Sequence, residues 1–177
     1  MPRRACPMRT TLVSICFALA VSCPRSASAE TWRFTEGRNP HLEVETADFL
    51  LKSQDKSHAL TIGCMNTVER SVSFLVHTPI PVEGFTQHDE EQLFTVSADE
   101  GRRYDIRLRG FSGERSIVFG ALFDAGDRRF DMVRAVLEAR STIAVTSQGG
   151  VRTSFSIDVF NIDLGRFNDV CRIATRP

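Results

Sequence analysis

Two kinds of side chain in this sequence are placed to do chemistry: its cysteines and a run of alternating arginines. Cys64 ends the alternation Leu60, Ile62, Cys64, and Cys171 shares one helical face with Leu164 and Phe167, so both thiols are aimed at a core. Paired cysteines in an exported chain read as a disulfide that ties the first third of the domain to its last turn. Two free buried thiols, or a metal site, are the alternatives. Neither cysteine has a CxxC or HxxxH partner pattern nearby, which a metal site requires.

The arginines are Arg103, Arg107 and Arg109, which alternate with Tyr104, Ile106 and Leu108 and so stand on one face of a strand. Such a stripe, with Arg102 and Arg115 beside it, suits a carboxylate, a phosphate or an acidic partner surface. Asp105 lies in its middle and partly neutralises it. The competing reading is a charged solvent face that keeps the sheet soluble and discourages edge pairing.

Other reactive constellations are missing from the pattern. Gly110-Phe111-Ser112-Gly113 lacks the spacing of a nucleophile elbow and reads as a turn. His41, His58, His77 and His88 show no metal-ligand spacing, and His77 reads as an exposed or hydrogen-bonded surface residue. His88-Asp89-Glu90-Glu91 reads as a solvated loop. No phosphate-cradling loop or dinucleotide fingerprint occurs, so no metal or cofactor is expected.

The address is written in the first 29 residues. Arg3, Arg4 and Arg9 precede the apolar stretch TLVSICFALAVS and an Ala27-Ser28-Ala29 cleavage site, the layout of a secretory signal, with Met1 or Met8 as the start. A lipoprotein anchored at Cys23 is the alternative, although Ala20 stands where such sites usually carry Leu. Cleavage after Ala29 leaves residues 30–177 as one exported, periplasmic or secreted domain without a transmembrane segment. It also removes Cys6, Cys16 and Cys23 with four of the 22 basic residues and none of the 22 acids. The mature chain is then acidic, which excludes the basic excess of a nucleic-acid binder.

The elements that must position these residues are strands. Short alternating apolar runs recur between turns at roughly eight- to twelve-residue spacing, the pattern of an antiparallel β-sandwich or meander. Trp32 and Phe34 suggest an edge strand, followed by turn chemistry at 36–40, and Leu42, Val44 and Thr46 suggest a second strand. Residues 48–58 read as a loop or a ragged strand pair. Residues 59–64 and the run through Val72, Phe74 and Val76 form an antiparallel hairpin, since their connection is too short for a helical crossover. Strands follow at Leu93–Val96, Tyr104–Leu108, Ile117–Phe123, Ile143–Val145 and Val151–Ile157. Ile117–Phe123 is apolar at both parities and is expected at the centre, covered on both sides. Two short helices complete the chain: one capped by Asp127 with Phe130, Val133 and Leu137 on its inner face, the other carrying Cys171.

The stretch Leu60-Thr61-Ile62-Gly63-Cys64, with a closing Ser154-Phe155-Ser156-Ile157-Asp158 strand and a short helix from Asn161 to Cys171, resembles periplasmic proteins of proteobacteria. These are type VI secretion accessory proteins and related disulfide-stapled families of unknown function. The resemblance implies a non-enzymatic accessory or interaction protein, bridged between Cys64 and Cys171. The expectation is therefore a non-catalytic exported domain that binds a protein or envelope component. The alternative is a small periplasmic enzyme or enzyme inhibitor, with a site built from loops at 79–91 and 110–115.

Overall fold

The computed structural model describes residues 32–66, 71–83, 91–99, 101–124, 127–157 and 164–171. The leader and the turn at 161–163 lie outside the described residues. Among the described residues nine strands form one sheet: β1 (Arg33–Asn39), β2 (Val44–Lys52), β3 (Ala59–Met65), β4 (Ser71–Pro81), β5 (Glu91–Ala98), β6 (Arg103–Ser112), β7 (Ser116–Asp124), β8 (Thr142–Ser147) and β9 (Arg152–Ser156). Their order is β1-β2-β3-β4-β7-β6-β5-β8-β9, and each neighbouring pair is antiparallel. Helix α1 (Phe130–Leu137) follows β7, and α2 (Leu164–Cys171) follows β9.

By connectivity the sheet is two meanders. The first, β1 to β4, meets the second, β7-β6-β5, at the β4–β7 ladder, and the β8–β9 hairpin extends β5. By packing it behaves as a sandwich. Phe49, Leu60 and Ile62 near one end and Phe155 at the other are all fully buried. The two described helices, of eight residues each, are too short to cover nine strands, and the inner faces of both halves of the sheet contribute to one hydrophobic core. The side chain of Gln54, in the β2–β3 turn, donates to Ser156 Oγ of β9 at 3.0 Å, which brings opposite ends of the sheet together.

The helices close the remaining gaps. Phe130, Met132, Val133, Val136 and Leu137 of α1 are buried, as the i, i+3, i+7 spacing requires. Asp127 is not itself the helix N-cap, which is Arg129; its carboxylate instead accepts the Arg129 N–H at 2.8 Å, in the turn leading into the helix. On α2, Phe167 is buried against Phe49 with ring centroids 4.9 Å apart. Cys171 is disulfide-bonded to Cys64 with Cα atoms 5.7 Å apart. Outside the core, Arg166 donates to Glu36 at 2.7 Å.

Three local expectations need correction. Strand β1 continues through Glu36-Gly37-Arg38-Asn39, and the chain reverses at 40–43 instead, where Asn39 Oδ1 accepts from the His41 and Leu42 amides. The buried face of β2 is Ala47, Phe49 and Leu51, so residues 48–52 are strand and Leu42 is a turn residue, 56% exposed. An outward Leu50 hides that alternation in the sequence. Strand β7 is central in the sheet but covered on its inner face only, and Leu122 is 64% exposed.

Asp99 fixes the join between the β5–β6 turn and the start of β8. It sits at φ 51°, a left-handed conformation that Asp tolerates better than most residues. Its carboxylate accepts from the amides of Arg140 (2.9 Å), Ser141 (2.8 Å) and Thr142 (3.0 Å) and from the Ser141 hydroxyl (2.7 Å). Burial pushes this carboxyl up, but the bonds from Arg140, Thr142 and Ser141 outweigh it and hold the group at about 2. A carboxyl depressed on folding stabilises the fold above its unfolded pKa of about 4 and loses that contribution as pH falls toward about 2. Asp99→Asn is expected to cost about 1–2 kcal/mol at neutral pH. It should also flatten part of the fall in melting temperature between about pH 4 and pH 2. An unchanged acid limb in thermal melts across that window would contradict this role.

Candidate functional site

The ladder between β6 and β7 holds only from Arg109↔Gly120 to Ser112↔Ile117. N-terminal to Arg109, β6 continues on β5 alone, while β7 beyond Gly120 continues on β4. The two strands therefore splay, and a cavity of about 540 Å³ opens on the outer face of the sheet at the point of divergence. Its floor is Leu75, Gly120 and Phe111, and its rim carries Arg107, Arg109, Leu122 and Arg129 together with one acid, Glu91. An adjoining cleft of about 250 Å³ runs between β6 and the start of α1, where Arg103 and Tyr104 face Arg128, Arg129 and Met132.

Gly120 makes this floor possible. A Cβ there would press into the Leu75 side chain, and the Phe111 ring would lie 3.5 Å away. The missing side chain thus lets Leu75 of β4 and Phe111 of β6 approach each other over β7, and Phe111 remains 38% exposed. An apolar floor open to solvent costs free energy unless something covers it.

The arginines differ in how far they are engaged. Arg109 faces Glu91 at 3.9 Å, a loose contact between two exposed side chains that contributes little. Arg129 is held by Asp127, which accepts from its Nε at 2.8 Å, and its guanidinium lies 4.9 Å from the Phe123 ring centroid. The hydrogen bond from Arg129 drives the Asp127 carboxyl below the usual carboxylate range, and the same bond raises the Arg129 guanidinium. Arg129 is therefore a fixed cation at the rim of the cavity. Among the described residues Arg103, Arg107 and Arg128 have no ion pair.

The three arginines expected to act together do share the outer face of β6, with Asp105 among them accepting from Thr95 Oγ1 at 2.7 Å. Arg107 and Arg109 line the main cavity, whereas Arg103 lines the adjoining cleft. Arg102 lies 5.9 Å from the Tyr104 ring centroid, and neither it nor Arg115 lines the cavity. Arg128 and Arg129 are the contributors that strand alternation misses. They stand together in the sequence before α1, but nothing in their spacing tells that the loop lands beside β6.

The remaining motifs stay apart from this site. His77 is half-buried on the outer face, with Nε2 3.0 Å from Thr61 Oγ1, and burial lowers its pKa. Residues 88–90 lie outside the described residues, as does most of the 79–91 loop proposed for an enzyme site, while Glu91 begins β5. Gly110, Phe111 and Ser112, expected as a turn, are instead the last strand residues of β6, paired with β7, and the chain turns only at 113–115, where the Gly113 amide donates to Ser116 O at 2.9 Å. A cavity of about 370 Å³ between β1, β2 and α2 gathers Glu36, Glu45, Asp169 and Arg166 without a histidine. Among the described residues no group of three His, Cys, Asp or Glu is placed to hold a metal ion, and no helix is long and apolar enough to cross a membrane. Comparison with protein-family models, with curated proteins and with solved structures finds no match.

Proposed function

We propose that this chain is an exported, non-catalytic interaction domain that binds an acidic surface of a partner protein through the splayed β6–β7 face. The observation that carries the reading is the cavity at the end of the β6–β7 ladder, where Arg107 and Arg109 stand beside an uncovered apolar floor. Charged groups around an apolar centre are the anatomy of a protein-binding patch. Arg107 gives the same indication, because its guanidinium has no ion pair among the described residues. Export through residues 1–29 and a secretion-associated role belong to the same proposal. They draw on the signal-like leader and on the resemblance of the two cysteine-bearing stretches.

Charge reversal tests the reading without disturbing the core, since both arginines are exposed. The Arg107→Glu, Arg109→Glu double variant should keep the wild-type melting temperature. It should lose affinity for a fluorescent glutamate-rich peptide by about a hundredfold at low salt, the scale of two lost charge-assisted pairs and two new repulsions. Equal affinity of wild type and variant would remove the arginine face from the account.

A further inference from the structure

The outer row of β6 carries more than positive charge. Along one face it reads Arg103, Asp105, Arg107, Arg109, Phe111, that is plus, minus, plus, plus, apolar, at the two-residue period of a strand. From the order of these side chains we infer that the partner presents an extended segment with the complementary alternation: two acids at i and i+2, an apolar residue at i+4, and a basic or neutral residue at i−2. This rests on the proposed function and specifies its ligand.

The spacing argument is geometric. Alternate side chains on an extended chain stand about 6.6–6.8 Å apart, so an extended partner keeps step with β6 along several residues. Its two carboxylates then meet Arg107 and Arg109 together, and the next side chain on that face arrives over the floor built by Phe111, Leu75 and Gly120. Desolvation by that apolar contact strengthens the neighbouring charge pairs. Asp105 supplies the register. It is exposed, and a partner slipped by two residues would place an acid against it. A uniformly anionic membrane surface would be served by an unbroken basic patch. The interruption at Asp105 and the apolar end of the row favour a protein segment.

The test uses the exported full-length domain and two synthetic peptides of identical composition. One has the alternating order Lys-Thr-Glu-Thr-Glu-Thr-Phe, and the other has its two glutamates adjacent and its phenylalanine moved next to the lysine. Titration by fluorescence anisotropy should show the alternating peptide binding about tenfold or more tighter. That preference should vanish in Phe111→Ser and in Arg107→Glu. Equal binding of both peptides, still dependent on Arg107 and Arg109, would overturn the inference while leaving the acidic-surface reading standing. Binding of phosphatidylglycerol vesicles through Arg107 and Arg109, with no peptide bound, would overturn the inference in favour of a lipid surface. If no probe binds, both readings fall.

Discussion

Cys171→Ser is expected to lower stability by about 4 kcal/mol. The Cys64–Cys171 bridge closes a loop of sequence separation 107, for which the chain-entropy model gives about 4–5 kcal/mol as an upper figure. The total stability of a domain this size is about 5–15 kcal/mol, so the variant should melt far earlier and accumulate in lower yield. The consequence is also local. The bridge anchors α2 to β3, and α2 packs chiefly on β2 and β3. Without the bridge, α2 is held by Phe167 packing and by the exposed Arg166–Glu36 pair. Wild-type protein treated with reductant should reproduce most of the loss, and its two thiols should label only then. Equal melting temperatures for wild type and variant under oxidising conditions would contradict the staple.

Phe49→Ala is the second large loss, expected at about 3–5 kcal/mol. Phe49 is fully buried, and its ring centroid lies 5.8 Å from Trp32, 5.1 Å from Phe34 and 4.9 Å from Phe167. Truncation leaves a cavity between β1, β2 and α2 that these rings cannot fill without leaving their rotamers. A fall of about 10 °C in melting temperature matches that cost for a domain of this length. Because Phe49 and the bridge both hold α2, the double variant should lose less than the two single losses together. Strict additivity in chemical denaturation would show that α2 is not the shared element.

The fold was largely legible in the chain because alternation survives wherever one face of a strand meets the core. Leu60-Ile62-Cys64, Val72-Phe74-Val76 and Ile106-Leu108 all carry it, and all proved inward. It failed where an apolar residue faces outward. Leu50 masked the β2 pattern, and Leu122 made β7 look covered on both sides although it lines the open cavity. Those two leucines show that an apolar side chain in a strand can stand on the core face or on the outer face, a choice that depends on how distant strands are ordered.

The candidate site was legible only in part for the same reason. Arg107 and Arg109 stand out because they are two residues apart on one strand. The cavity beside them depends on where the β6–β7 ladder ends, on the missing side chain at Gly120 and on the placement of Arg129 from another element. Those are relations across the sheet between β4, β7, β6 and α1, and no local spacing encodes them.

The most direct test of the central claim is a backbone amide NMR titration of the domain with the alternating acidic peptide. Shift changes confined to β6 from Arg103 to Ser112, to β7 around Gly120 and to Leu75 would place the partner in the splayed groove, as this account predicts. Saturable shifts gathered instead at β1 and α2, or at β9, would contradict it.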